Sequence, residues 1–340
     1  MPVSLVSVIL PVFNCQAYVG EAIESILNQK FRDFEFLIID DGSTDGTQAE
    51  LVKYIDPRIR HLRHENRGLA ATLNTAIGLA RGKYIVRQDQ DDISMPDRIE
   101  KQVAFMEAHL ECGLLGTWAQ IIEGDRLVER FHRHPTDPSV LRYQLLFNNP
   151  FVHSSVMLRK SVLEETGGYS IDPERQPPED YELWSRIIRS AGVANLPEVL
   201  LYYREIPSSM SRVGPSPFLS RLVRICAENV ARESKADPTD PQVLNIAALT
   251  HGAGEFIATR PDFGRMREIL LSAVDSVSTM HTKSSLVADA NHRITALRGM
   301  HLANHIFLGR ILGVQGAARS VLKTLYRLFQ SATRQSNHTK

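Results

Sequence analysis

The first ninety residues alternate between short apolar segments and amphipathic ones, and this alternation constrains the fold more than any other feature. Segments 6–13, 34–39 and 84–86 are almost wholly apolar and rich in β-branched residues, as expected of strands buried on both faces. Between them, segments 19–27 and 69–80 carry apolar side chains at helical spacing. The alternation predicts an α/β fold with a mixed, mostly parallel sheet and helices on both faces.

An acidic segment, Asp89-Gln90-Asp91-Asp92, directly follows the predicted strand 84–86. Parallel sheets place ligand chemistry at the carboxyl ends of their strands. Carboxylates crowded this closely repel one another unless a positive charge lies between them. Mg²⁺ takes carboxylate oxygens and completes its shell with water and substrate phosphates. We therefore interpret the segment as a metal–phosphate site; a solvated acidic turn is the simpler alternative.

Two further acidic pairs stand where ligand chemistry is expected. Asp40-Asp41 ends the predicted strand 34–39, and turn formation explains this pair less well than it explains the residues that follow. Glu179-Asp180 opens a predicted helix that ends near residue 189. Acidic residues in a first helical turn also complement the helix dipole, and that structural role is the alternative for the second pair.

The second half of the chain has a different texture. Short strands are predicted at 114–118, 121–122, 127–132 and 151–158, and apolar stripes typical of helices follow residue 214, including one over 243–257. We predict a catalytic domain over residues 1–212 and a helical C-terminal region over residues 213–340. The helical region contains no catalytic cluster and is interpreted as packing on the catalytic core or on an oligomer partner.

Charge and cysteine usage exclude several classes of protein. Thirty-nine basic and thirty-nine acidic residues give no net charge, which favours neither disorder nor nucleic-acid binding. The three cysteines are odd in number and far apart, which indicates a reducing compartment without a disulfide framework. Neither a signal peptide nor an apolar run of about 20 residues is present, so the expected location is cytoplasmic.

Six motifs occur in an order that resembles the family 2 glycosyltransferases. The resemblance covers roughly residues 5 to 212 and implies an inverting enzyme of the GT-A fold that uses a nucleotide-activated sugar. The motifs are Val8-Ile9-Leu10-Pro11-Val12-Phe13-Asn14, Asp40-Asp41-Gly42-Ser43-Thr44-Asp45, Asn66-Arg67-Gly68, Gly82-Lys83-Tyr84-Ile85, Asp89-Gln90-Asp91-Asp92 and Pro178-Glu179-Asp180.

The resemblance implies roles on the nucleotide side of the site. Pro11, Phe13 and Asn14 would border the base, and Asp41 would accept a hydrogen bond from it. For Phe13, ordinary core packing is an equally open alternative. Arg67 would approach the diphosphate, although a solvated cation is the simpler interpretation of that residue.

The acidic segment takes the remaining donor roles under the same resemblance. Asp89 would bond the ribose hydroxyls, and Asp91 would hold a divalent metal, Mg²⁺ or Mn²⁺, on the diphosphate. Asp92 would either brace the loop or touch the ion. Many relatives place a histidine where this chain has Ile206, so a histidine ligand is not carried over.

The catalytic base implied by the resemblance is Asp180, with Glu179 beside it. The expected function is transfer of one sugar from a nucleotide-diphosphate sugar, a UDP-sugar by preference. The acceptor would be a saccharide or lipid-linked saccharide in surface or exopolysaccharide biosynthesis. A non-catalytic nucleotide-sugar-binding or scaffold protein of the same fold is the alternative. Processive synthases carry a Gln-x-x-Arg-Trp motif and membrane helices, and this chain has neither.

The C-terminal segment 301–330 interleaves apolar residues with basic ones and contains no acidic residue. Basic amphipathic helices of this kind lie on anionic membrane surfaces, so peripheral contact with the inner membrane face is one prediction. Packing on the protein's own helical region or on a twin subunit in a homo-oligomer is the other, and the glycines in the segment favour it.

Overall fold

The computed structural model describes residues 4–206 and 218–311, and of residues 303–311 only the backbone. The chain divides into two compact units. One comprises residues 1–141 and 149–215, and the other comprises residues 142–148 and 216–340. The predicted boundary at residue 212 and most of the basic segment 301–330 lie outside the described residues.

The first half of the α/β unit follows the predicted alternation closely. Every residue of its strands β1, β2 and β4 is buried, so both faces of the sheet are covered there. Its elements are, in order, β1 Val6–Val12, α1 Val19–Leu27, β2 Phe34–Asp40, α2 Thr47–Leu51, β3 Ile59–Arg63, α3 Leu69–Leu79, β4 Tyr84–Arg87, β5 Ile93–Ser94 and α4 Arg98–Ala108.

The second half departs from prediction in two places. The two short strands predicted at 114–118 and 121–122 are one continuous strand, β6, because it pairs with β9 along its whole length. The predicted strand 151–158 is wrong in its first part, where a 3₁₀ turn replaces it. The elements are β6 Cys112–Glu123, β7 Arg126–His132, α5 Pro138–Leu145, the 3₁₀ turn His153–Ser155, β8 Met157–Arg159, α6 Lys160–Thr166, α7 Glu179–Ile187 and β9 Gly192–Glu205.

Within the described residues, nine strands form one mixed sheet in the order β3-β2-β1-β4-β8-β6-β9-β5, with β7 on β6. Strand β1 pairs in parallel with β2 and β4, and β8 joins β4 to β6 through antiparallel pairs. Because parallel strands end at the same edge, Val12, Asp40 and Arg87 bring the segments that follow them together. The predicted α/β sheet is confirmed.

The second unit is helical, as predicted. Its elements are α8 Phe218–Ser234, α9 Pro241–Thr250, the 3₁₀ turn Gly254–Phe256, α10 Phe263–Val277 and α11 Lys283–Ile311. The helix predicted over 243–257 ends at Thr250, and Gly252 follows with a φ of +66°, which favours glycine. Over the described residues, no helix combines the length and apolarity that a membrane crossing requires.

Candidate active site

The acidic loop, residues 88–92, begins where β4 ends and is fixed by its own neighbours. The buried Arg87 donates from Nη2 to Oδ1 of Asp89. The Asp89 backbone N–H donates to Ser154 Oγ at 2.8 Å. Gln88 Nε2 donates to the Asp92 carbonyl at 2.7 Å, which closes the loop on itself. The loop therefore holds its carboxylates in a defined arrangement rather than as a solvated turn.

Two buried arginines, Arg204 and Arg98, hold the acidic loop and the end of β4 through hydrogen bonds. Arg204, near the end of β9, donates its backbone N–H to Asp92 Oδ1 at 2.7 Å and its Nε to the Asp91 carbonyl at 2.9 Å. Arg98 donates to the Arg87 carbonyl at 2.8 Å, and burial lowers the pKa of Arg98 to about 9. Asp92 thus braces the loop through Arg204, two residues before Ile206.

Asp91 is the loop carboxylate that best fits a metal ligand. Burial, with the negative charge of Asp89 added, raises the pKa of Asp91 to about 6. A cation bound there would remove this cost of ionisation, and the oxygens available are of the kind that Mg²⁺ and Mn²⁺ accept. The described residues contain no cluster of three or more His, Cys, Asp or Glu able to hold an ion. An ion held by Asp91 would complete its shell with phosphates and water, as Mg²⁺ does in nucleotide sites.

Phe13 lies beside this loop, just beyond the end of β1. Its backbone N–H donates to Gln90 Oε1 at 2.7 Å, and Gln90 Nε2 donates back to the Phe13 carbonyl at 3.2 Å. The Phe13 side chain is 42% exposed, so it is not a core residue. Asn14 follows with a φ of 48° and accepts from the Thr44 N–H, whereas Pro11 is buried inside β1 opposite Ile39. An exposed ring beside an acidic loop can stack on a flat ligand.

Asp41 has a structural role that the sequence did not reveal. Its Oδ1 accepts from the Arg67 N–H at 2.8 Å, and its Oδ2 accepts from the Gly68 N–H at 3.0 Å. Gly68 has a φ of +83° and immediately precedes α3. His64 Nδ1 also lies 3.2 Å from Asp41 Oδ1. Asp41 therefore anchors the turn that presents the exposed Arg67, and its contact with a base stays a prediction.

Helix α7 presents the two candidate catalytic carboxylates at its first turn. Asp180 is half-buried, and its Oδ2 accepts from Asn149 Nδ2 at 2.7 Å. Its Oδ1 accepts from the Tyr181 N–H at 2.7 Å. The neighbouring Glu179 is buried. Both oxygens of Asp180 are thus held by donors, which fixes the carboxylate in direction.

The 3₁₀ turn brings this helix and the acidic loop together. His153 Nδ1 lies 3.9 Å from Glu179 Oε1, while the next residue, Ser154, holds Asp89. Burial, followed by the charge of Asp180, raises the pKa of Glu179 to about 7. Burial, with Asp89 contributing, raises the pKa of Asp180 to about 6. Carboxylates from distant parts of the sequence therefore share one electrostatic environment.

Sequence reasoning missed four residues that build this site. Arg87 offered a visible signal, because it separates the apolar strand from the acidic loop. Arg204 lies at the end of a strand whose partner could not be predicted. Asn149 and Ser154 act through contacts with residues 31 and 65 positions away, and no local pattern indicates them.

The comparisons with known proteins agree with this geometry. The pattern of the family described as "Glycosyl transferase family 2" matches residues 7–167. The Bacillus subtilis protein named "Putative glycosyltransferase EpsE" is 35% identical over 218 residues, which cover 61% of this chain and 75% of EpsE. The chain belongs to the family 2 glycosyltransferases. The matched family region ends before Asp180 and therefore does not include that residue.

Two further similarities bear on this glycosyltransferase. It is 29% identical over 211 residues to the Escherichia coli protein WfgD, named as a UDP-Glc:α-D-GlcNAc-diphosphoundecaprenol β-1,3-glucosyltransferase; the match covers 61% of this chain and 79% of WfgD. Its structure resembles Staphylococcus aureus TarS solved with UDP-GlcNAc, with a TM-score of 0.60 and 18% identity, over 88% of this chain and 91% of the other. The second similarity identifies the fold as the GT-A type.

Proposed function

We propose that this glycosyltransferase moves one sugar from a nucleotide-diphosphate donor to a saccharide acceptor and inverts the anomeric configuration. The observation that carries the proposal is that Asp180 lies close enough to the acidic loop for the charges of Asp89 and the buried Arg87 to act on it. A transferase of this kind needs one carboxylate to take the acceptor proton and a separate carboxylate to hold a cation on the donor diphosphate, and this arrangement supports both. A glycosidase instead needs two carboxylates that flank one glycosidic bond.

Asp180 takes the proton from the attacking hydroxyl, which is a general-base role. A pKa of about 6 leaves this carboxyl mostly ionised at neutral pH while keeping it basic enough to accept a proton. A divalent cation held by Asp91 would neutralise the charge that develops on the leaving diphosphate. Direct attack from the face opposite the leaving group inverts the anomeric carbon.

The proposed donor is a UDP-sugar and the proposed acceptor is a lipid-linked saccharide. The name of WfgD, with its UDP-glucose donor and diphosphoundecaprenol-linked acceptor, supports both assignments. The exposed Phe13 ring supports a flat base beside the loop. The six-motif match without the Gln-x-x-Arg-Trp sequence supports single-sugar addition.

A purified-protein assay with a panel of nucleotide sugars tests the proposal. Each donor is incubated with Mg²⁺ or Mn²⁺, and release of nucleoside diphosphate is followed with and without acceptor. The expected result is metal-dependent turnover of one donor and a product whose anomeric configuration, read by NMR, is opposite to that of the donor. Donor binding without turnover across acceptors would support the non-catalytic alternative instead, and a retained configuration would contradict inversion.

Asp180→Asn separates the chemical step from binding. Transfer should be abolished while donor affinity stays within about threefold of wild type, because the proton is taken only in the transition state. A large loss of donor affinity with retained turnover would make Asp180 a binding or structural residue.

Peripheral membrane contact through residues 301–330 is proposed as the way in which the enzyme reaches a lipid-linked acceptor. Six basic residues and no acidic one lie between 301 and 340, and each cation near an anionic surface contributes about 1 kcal/mol. Sedimentation with anionic liposomes compares the full chain with a chain that ends at Met300. If both remain in the supernatant at low salt, this segment does not bind membranes.

A further inference from the structure

We propose that Asn149 is a positioning residue that holds Asp180 in the orientation required to accept the proton of the acceptor hydroxyl. The inference rests on the proposed function, since it needs Asp180 to be the base. Asn149 lies outside the six motifs and is not next to any of the acidic residues discussed above in the sequence. The contact that carries it is the 2.7 Å hydrogen bond from Asn149 Nδ2 to Asp180 Oδ2.

The direction of the Asn149 amide is set by a second contact. Its Oδ1 accepts from the Phe151 backbone N–H at 3.0 Å, so the NH₂ end must face Asp180. An amide with both ends engaged cannot flip without losing two hydrogen bonds. The NH₂ group of Asn149 is therefore already oriented toward Asp180 before the acceptor saccharide binds.

The backbone that carries Asn149 is itself held in place. Asn195, buried in β9, donates from Nδ2 to the Pro150 carbonyl at 3.1 Å and to the Pro135 carbonyl at 3.0 Å. Asn195 therefore supports the same short segment through the carbonyl of the residue that follows Asn149. The two asparagines form a natural pair for comparison, because both contact this segment and, of the two, Asn149 donates a hydrogen bond to Asp180 whereas Asn195 donates to the Pro135 and Pro150 carbonyls.

Asp180 retains the capacity to act as a base. Each carboxylate oxygen has two lone pairs, and the donors from Asn149 and Tyr181 occupy one on each oxygen. A hydrogen bond to the ionised form favours that form over the protonated one. Asn149 thus orients the Asp180 carboxylate and slightly favours its ionised form. The charges that act on Asp180 are those of Arg87 at the end of β4 and Asp89 in the acidic loop. The charge of Asp180 in turn raises the pKa of Glu179 on α7 and of Tyr169.

The test compares Asn149→Ala with Asn195→Ala in the full chain. For Asn149→Ala, kcat should fall about 10- to 100-fold, since a misplaced catalytic group costs up to about 10²-fold, while KM for the donor stays within about twofold. The acidic limb of the kcat–pH profile should move to higher pH, because a donor to the ionised base has been lost. Asn195→Ala should lower thermal stability and leave the position of that limb unchanged.

Asn149→Asp provides a second variant if Asn149→Ala fails to fold. It keeps an acceptor for the Phe151 N–H but replaces the donor with a carboxylate that faces Asp180. Turnover should fall at least as far as in Asn149→Ala. Wild-type kcat in either Asn149 variant, or an equal loss with a shifted limb in Asn195→Ala, would overturn the inference.

Asp180→Asn, assayed alongside, separates two kinds of failure. If Asp180→Asn retains turnover, the base of the proposed function is wrong. If Asp180→Asn is inactive while Asn149→Ala behaves as wild type, the proposed function stands and only the role of Asn149 is rejected.

Discussion

Arg87 and Asp89 are joined across the end of β4, where a guanidinium with no exposed surface donates to a carboxylate that is 30% exposed. Burial lowers the pKa of Arg87, but the charges of Asp89, Tyr169 and Glu179 outweigh it and raise the pKa overall. Within the described part of the chain, Nε and Nη1 of Arg87 are buried without a hydrogen-bond partner. The candidate site therefore contains a permanent positive charge, which partly offsets the rise that burial causes in the pKa of Glu179 and Asp180.

The metal role of Asp91 is tested by Asp91→Asn. Turnover should fall at least about 10²-fold, since the substitution weakens a charge interaction worth several kcal/mol in the transition state. Initial rates are measured at saturating Mg²⁺ or Mn²⁺ and again with excess chelator. Asp97→Asn, on an acidic residue that pairs with Lys101 instead, serves as the control. Full activity in chelator would contradict a metal-dependent mechanism.

The raised pKa of Asp180 has a measurable effect on stability. The folded state binds this proton more tightly than the unfolded state, where the pKa is near 3.8. The resulting stabilisation is therefore present below about pH 4 and lost as pH rises through about 6. Between pH 5 and pH 7.5, Asp180→Asn should gain about 1 kcal/mol of unfolding free energy relative to wild type, because the full shift corresponds to about 1.4 kcal/mol over this interval and partial exposure reduces it.

Denaturant unfolding of both proteins at the two pH values measures this difference. Asp97→Asn is again the control, because a hydrogen bond from Lys101 lowers the pKa of Asp97 and no change is expected in this window. A difference between Asp180→Asn and wild type that does not vary with pH would show that Asp180 ionises normally.

The structural role of Asp41 predicts a loss of stability in Asp41→Asn. The amide NH₂ would face one of the two backbone N–H groups that the carboxylate now accepts from, at Arg67 and Gly68. Unfolding free energy should fall by about 1–3 kcal/mol, and urea denaturation measures it. An unchanged midpoint with a large loss of nucleotide affinity would instead make Asp41 chiefly a base-binding residue.

Phe13→Ala should weaken nucleotide binding without destabilising the fold. Stacking of a base on an aromatic ring contributes about 1–3 kcal/mol, so the dissociation constant for UDP should rise about tenfold. Substitution of a half-exposed side chain should change stability by less than about 0.5 kcal/mol. Calorimetric titration with UDP measures the affinity, and Leu110→Ala, on an exposed leucine after α4, is the control. Equal affinity in both variants would exclude stacking on Phe13.

The fold was predictable where several consecutive residues are buried, because such a segment is a run of apolar residues in the sequence. The strands Val6–Val12, Phe34–Asp40 and Tyr84–Arg87 are buried on both faces, and their apolar runs are visible in the sequence. The turn His153–Ser155 was predicted as strand because Val152 and Val156 beside it are apolar. Its conformation is fixed by distant partners instead: Ser154 accepts from Asp89, and Ser155 accepts from the Thr117 N–H at 3.1 Å.

The candidate site shows the same limit. Acidic residues at strand and helix ends marked Asp41, Asp91 and Asp180 as candidates, and the resemblance to the family supplied their predicted roles. Their partners are set by tertiary contact, so neither the anchoring of the Gly68 turn by Asp41 nor the bond from Asn149 could be predicted. A residue that orients a reacting group needs only one hydrogen-bonding atom in the right place. Such a residue produces no periodic pattern in the sequence.

The two hydrogen bonds between Gln90 and the Phe13 backbone connect the proposed cation ligand with the proposed base contact. Gln90 lies next to Asp91, so an ion held by Asp91 would act on the segment that also fixes the backbone of Phe13. If an ion there raises the affinity for the nucleotide, the nucleotide must raise the affinity for the ion by the same factor. We therefore expect donor and cation to bind as cooperative ligands, each held most tightly when the other is present.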